Sequence, residues 1–270
     1  MMRNLIRIAS AIAPGPISRL AYDKLTNPQL HKLRLFEEEV LAKADVNWED
    51  FQGKKVCTYR WGSGNRRILL IHGWEGQAGN FWAIVDALLA MDYTVYAFDA
   101  PSHGRSDKGP TSMFAFTDWV KYQIQSLGVN KLISHSFGGV ATTYALSQLP
   151  ETEIEQYLMI TTPDRFSQRI QDVSEQVGIN ETVKQRLIDR LTAETKQDLT
   201  KLNVSDFVQQ IKVKEALIIH DRDDRVIPLS YSEGVHAKWP QSRLEVIEGT
   251  GHYRILSDAQ TLTLMRDFLN

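Results

Sequence analysis

From Lys55 onward the chain alternates between two hydrophobic rhythms. Short apolar runs rich in β-branched and aromatic residues recur: "KVCTYRW" (55–61), "RRILLIHG" (66–73), "YTVYAFDA" (93–100), "NKLISHS" (130–136), "EQYLMITT" (155–162), "EALIIHD" (215–221) and "RLEVIEG" (243–249). Their length and composition predict buried strands. Between them lie stretches whose apolar residues recur every three to four positions, which predicts helices: "NFWAIVDALLAM" (80–91), "FAFTDWVKYQIQSLG" (114–128), "GGVATTYALSQL" (138–149), "SYSEGVHAKW" (230–239) and "DAQTLTLMRDFLN" (258–270). Gly62-Ser63-Gly64-Asn65 reads as a turn, Gly128 as a helix stop, and Pro150 follows the end of the third helix. Strand–helix alternation of this kind predicts an α/β fold: a mostly parallel central sheet with helices on both faces and right-handed crossovers.

Two segments break the alternation. Residues 1–50 have helical, polar-amphipathic spacing, with Leu33, Phe36, Val40 and Leu41 on one face, and are expected to pack on the core as a helical segment. The opening "MMRNLIRIASAIAPGP" is interrupted by Arg7 and is too short to span a membrane. It is read as an amphipathic helix lying on the domain, with a membrane-surface helix as the alternative. The second segment, 163–212, is polar, carries no strand signal and is longer than an ordinary connection; Asn180 is a candidate N-cap within it. The expected organisation is a core formed by 51–162 and 213–270, with 163–212 inserted as a small helical cap over one end of the sheet.

Composition narrows the function classes. At 270 residues with 43% hydrophobic and 24% charged residues, one domain accounts for the chain. A net charge of −2 without a Lys/Arg stripe argues against nucleic acid as a partner, and stable membrane insertion is not expected. The single cysteine, Cys57, cannot form an internal disulfide and suits a reducing cytoplasm. No His/Cys/Asp set has metal-ligand spacing and no phosphate-cradling glycine loop is present, so neither a metal nor another cofactor is expected.

The candidate chemistry begins at Ser134-His135-Ser136-Phe137-Gly138. A strand running into a helix through small-x-Ser-x-Gly makes a corner so tight that side chains two positions either side of the serine must be small, and the tightness holds the hydroxyl out for reaction. Serine at the first of these positions replaces the usual glycine. A nucleophilic serine needs a base, and the base needs a carboxylate to fix its tautomer. Two later strands end in suitable residues: Asp221, Asp223 and Asp224 after one, His252 after the last. In a parallel sheet such strand ends converge on one edge.

The blocks "LLIHGWEG", "AFDAPSHGRSD", "SHSFGG", "IIHDRDDRVIP" and "GTGHYRIL" together, in this order, resemble those of the α/β-hydrolase superfamily from about residue 55 to the C-terminus. The ensemble is most similar to bacterial hydrolases of the esterase type. The resemblance implies Ser136 as nucleophile and His252 as base. Counting back four residues from Pro228 selects Asp224 as the acid, with Asp223 second. It also implies an oxyanion hole made by the backbone N–H groups of Trp74 and Phe137. The implied activity is a carboxylesterase-type serine hydrolase acting on small or short-acyl esters. Thioesters and other acyl substrates are the alternative within enzymes, and a non-catalytic small-molecule binding protein is the alternative outside them. His72, His103 and Asp99 are read as loop organisers, His135 as packing beneath the corner, Glu75 as a surface salt-bridge partner, and the two spare aspartates as solvated.

Overall fold

The apolar runs assemble into one sheet. The computed structural model describes residues 2–29, 31–196 and 198–270. Eight strands are found among them: β1 (Asp45–Phe51), β2 (Lys54–Trp61), β3 (Arg66–Ile71), β4 (Tyr93–Asp99), β5 (Lys131–His135), β6 (Glu153–Ile160), β7 (Lys212–Asp221) and β8 (Ser242–Ile247). Their spatial order is β1-β2-β4-β3-β5-β6-β7-β8. β1–β2 and β2–β4 pair antiparallel, and every later pairing is parallel. The seven runs read as strands are β2 to β8.

The helices are α1 (Met2–Ile12), α2 (Pro14–Thr26), α3 (Leu35–Ala42), α4 (Trp82–Leu89), α5 (Met113–Leu127), α6 (Phe137–Ser147), α7 (Phe166–Val177), α8 (Glu181–Thr195), α9 (Val204–Phe207), α10 (Leu229–Ala237), α11 (Gly251–Arg254) and α12 (Ala259–Leu269). They sandwich the sheet, and β3 shows why. Its continuous apolar run sends Leu69 and Ile71 into one core with Phe116, Trp119 and Ala141 of α5 and α6. Ile68 and Leu70 enter a second core with Ile84 and Leu88 of α4 and Met265 of α12. A strand buried on both faces has no polar alternation to show.

The reading of residues 1–50 as helical needs correction at its end, where β1 joins the sheet as an edge strand. Its residues are mostly exposed, with Val46 and Trp48 42% and 45% accessible, so the sequence carries no inward hydrophobic face to announce a strand. The hairpin to β2 is closed by Gln52 and Gly53 at φ 50° and 77°, the two consecutive positive-φ residues of a type I′ turn. The rest of the N-terminal segment packs on the body. Tyr22 of α2 donates its hydroxyl to Glu194 of α8 (2.5 Å), and the indole of Trp61 donates to the Val40 carbonyl (2.8 Å).

Between β6 and β7 the chain forms α7, α8 and α9, and its two ends are fastened together. Asp164 accepts the Ser205 amide (2.7 Å) on its carboxylate and the Val204 amide (2.9 Å) on its carbonyl, and Phe166 N donates to Leu202 O (3.1 Å). Leu187, Leu191, Leu199 and Phe207 continue the first core outward.

Candidate active site

The order of the strands fixes where a site can form. Sequence order reverses at β3, whose neighbours β4 and β5 run off in opposite directions, and the crevice outside the carboxyl ends of β3 and β5 is the topological switch point of the sheet. Ser136 follows β5, Trp74 follows β3, and the loops after β7 and β8 carry Asp224 and His252.

Ser136 itself is strained. Its φ of 54° and ψ of −125° are unusual for a residue with a side chain, a conformation worth about 1–3 kcal/mol that the surroundings must impose. Its amide donates to Ile160 O of β6 (2.9 Å), and its carbonyl accepts Gly139 N (2.9 Å) as α6 begins. A Cβ on Gly138 would lie 2.4 Å from the Ile71 carbonyl oxygen, so only glycine lets the helix start this close to β3. Ser134 is tolerated where glycine is usual because its buried hydroxyl has a partner, the Tyr157 hydroxyl at 2.7 Å.

The three predicted side chains meet. His252 Nε2 lies 3.0 Å from Ser136 Oγ, and His252 Nδ1 lies 2.7 Å from Asp224 Oδ2. The other Asp224 oxygen accepts the amides of Val226 (2.7 Å) and Ile227 (2.9 Å). Burial alone would raise the Asp224 carboxyl, but the hydrogen bond and charge of His252 and those two amides outweigh it and hold it below the usual aspartate range. A carboxylate therefore faces Nδ1, fixing the proton there and leaving the Nε2 lone pair directed at Ser136 Oγ. Gly73 packs against the corner so closely that a Cβ there would lie 3.0 Å from Ser136 Cβ and 3.5 Å from the Phe137 amide. The Trp74 and Phe137 rings meet edge to face at 5.4 Å.

The comparisons with known proteins agree with this architecture. A family profile described as "alpha/beta hydrolase fold" matches residues 66–167. The chain has the α/β-hydrolase fold. The chain is 30% identical over 164 residues to a Drosophila melanogaster protein named "Probable serine hydrolase", a match covering 56% of this chain and 46% of that one. The chain thus spans less than half the length of that relative. Among solved structures it superposes on a Pyrococcus furiosus esterase with a TM-score of 0.65 at 17% identity, covering 91% of this chain and 97% of that one. It superposes on the thioesterase domain from the curacin biosynthetic pathway with a TM-score of 0.61, also at 17% identity, covering 84% and 99%.

Several residues of the chain do more than their sequence context suggests. Asp221, read as solvated, is fully buried. One oxygen accepts Thr250 N (2.5 Å), Thr250 Oγ1 (2.6 Å) and Gly251 N (3.0 Å), and the other accepts Asp223 N (2.6 Å). It clamps the loop that delivers His252 to the loop that carries Asp224. Asp223 is exposed, as expected of a spare acid. Asp221→Asn places an amide against donors and is expected to cost about 2–3 kcal/mol of stability. Asp223→Asn is expected to stay within ~0.5 kcal/mol. Urea unfolding midpoints of the two variants check the contrast, and equal midpoints would show that Asp221 clamps nothing.

His135 is likewise more than packing: its Nε2–H donates to the His252 carbonyl (2.9 Å), joining the residue before the serine to the backbone of His252. His220 donates from Nε2 to Ile227 O (3.0 Å) and accepts the Ser232 hydroxyl at Nδ1 (2.7 Å), shaping the acid loop from behind. Arg169 of α7 donates to Val226 O (3.0 Å), tying the inserted helices to the same loop. The loop organisers fit their reading. His72 accepts Ala100 N and donates to Gly73 O, while Asp99 accepts from Tyr59, Ala78 and Arg105. Glu75 forms no salt bridge among the described residues; it accepts the Gln29 amide (2.9 Å), joining the N-terminal segment to the loop after β3. Among the described residues no group of three or more His, Cys, Asp or Glu could hold a metal ion.

Proposed function

We propose that this α/β-hydrolase is a serine hydrolase that cleaves carboxylic esters through an acyl-enzyme. The observation that carries the reading is the continuous chain from Ser136 Oγ through the His252 ring to Asp224, with spacings of 3.0 and 2.7 Å. Ser136 Oγ attacks the ester carbonyl carbon while His252 Nε2 takes its proton. Asp224 stabilises the imidazolium that results. The Trp74 and Phe137 amides hold the tetrahedral oxyanion. As the carbon–oxygen bond to the alcohol breaks, His252 returns the proton to the leaving oxygen. Water, deprotonated by His252, then attacks the acyl-enzyme, and the acid departs with Ser136 reprotonated. Every proton is carried by these side chains and water, so the cycle calls for no cofactor.

The aromatic rings beside the serine favour small or short-acyl substrates, with α7 to α9 acting as a cap that limits access. A buried, unpaired Cys57 suits a cytoplasmic setting. Likeness to a thioesterase domain keeps thioesters as the second substrate reading. A fluorophosphonate probe is expected to label Ser136, and p-nitrophenyl esters of increasing acyl length, assayed beside the matching acyl thioesters, are expected to show highest kcat/KM for the short esters. Failure of the probe to label the protein would favour a binding role, and a preference for thioesters would move the substrate class.

A further inference from the structure

We propose that α1 is a docking helix that rests reversibly on an anionic lipid surface. Its orientation is the observation that matters. Ser10 is fully buried with no hydrogen-bond partner for its hydroxyl, while Leu5, Ile8 and Ile12 are 59%, 57% and 78% exposed. Ile6, Ala9 and Ala13 are half-buried beside Ser10. The three exposed residues are spaced i, i+3 and i+7, so they form one stripe along the helix. A helix serving only to pack on the domain would turn that stripe inward and leave the serine to water. Here the reverse holds: the helix is seated on its small and polar side and presents its large apolar side chains outward. α7, against which α1 packs, adds Val173 and Val177, each 39% exposed.

Charge identifies the occupant. Residues 1–22 contain Arg3, Arg7 and Arg19 and no Asp or Glu. With a whole-chain charge of −2, the remaining residues carry −5. A basic, amphipathic end on an otherwise acidic protein complements a negatively charged bilayer surface. A second copy fits worse. One 11-residue helix face falls well short of the ~800 Å² per partner of a stable interface. The contact is interfacial. At about 1.5 Å per residue α1 cannot cross a bilayer, and among the described residues no helix is long and apolar enough to do so.

The full chain is tested by sedimentation with vesicles of phosphatidylcholine alone and of phosphatidylcholine containing about one-third phosphatidylglycerol. Binding to the anionic vesicles is expected to be at least ~10-fold tighter than to the neutral ones and to weaken in high salt. The double variant Leu5→Asp/Ile8→Asp is expected to lose at least ~10-fold in binding with an unchanged melting temperature, because both side chains already face water. Arg7→Gln is expected to lower binding to anionic vesicles by about fivefold and leave neutral vesicles unaffected. Equal binding to both vesicle types, a double variant that still binds, or a concentration-dependent dimer in light scattering that the double variant dissolves would each overturn the proposal. None of these readouts depends on turnover, so they stand apart from the hydrolase reading.

Discussion

Ser136→Ala is expected to lower p-nitrophenyl acetate turnover by at least ~10⁴-fold while leaving the fold intact. The hydroxyl lost is the one 3.0 Å from His252 Nε2, and no other serine or threonine is bonded to that nitrogen. Alanine keeps a Cβ in the same corner, so the packing of Gly73 and Gly138 around it is undisturbed. Asp224→Asn should be nearly as damaging by a different route. An amide nitrogen facing Nδ1 favours the wrong imidazole tautomer, and the expected loss is again on the order of 10⁴-fold. Because the three groups act as a unit, the double variant should lose no more than the worse single variant. Initial rates on purified proteins, with circular dichroism to confirm folding, check both points. A Ser136→Ala enzyme running near the normal rate would remove the serine from the reaction.

What the chain discloses before folding depends on whether the cause is local. β3 and β7 are legible because strands buried on both faces must be apolar throughout, and the Ser136 corner is legible because its close approach demands small side chains two positions either side of the serine. β1 is hidden because an edge strand has no face that must be apolar. Asp221 and Asp223 look alike in "DRDD", yet one is clamped by Thr250 and Gly251 and the other faces water. That difference lies in a loop nearly thirty positions away, which no local pattern encodes. The His135–His252 bond spans a still longer separation. For α1, periodicity reveals a hydrophobic stripe but not which side meets the domain, and the structure seats it opposite to the usual arrangement.

Acid should destabilise this protein below about pH 6.5, because four histidines are buried in their neutral form. His72, His103, His135 and His220 are each 5% exposed or less. Burial is the main reason each is harder to protonate than a free histidine; the neighbouring His252 adds to the effect at His135, which is pushed down to about 3. Two would also have to give up a hydrogen bond on gaining a proton. His72 Nε2 accepts the Ala100 amide, and His220 Nδ1 accepts the Ser232 hydroxyl. In the unfolded chain all four take up protons near pH 6.5. Between that value and their lower folded values the unfolded state binds more protons. Stability is therefore complete above about pH 6.5 and falls as pH drops, by up to ~1.4 kcal/mol per pH unit for each histidine. The contributions of the four add in the same direction, against a total stability of about 5–15 kcal/mol. This loss begins before protonation of Asp224 and Asp221, both held below their usual range, adds its own at lower pH. Urea unfolding at a series of pH values between about 5 and 7 measures the slope. His135→Gln keeps a donor for the His252 carbonyl but cannot titrate, so it should reduce the slope by up to ~1.4 kcal/mol per pH unit. A stability that stays level from pH 7 to 5 would show that these imidazoles accept protons without leaving the fold.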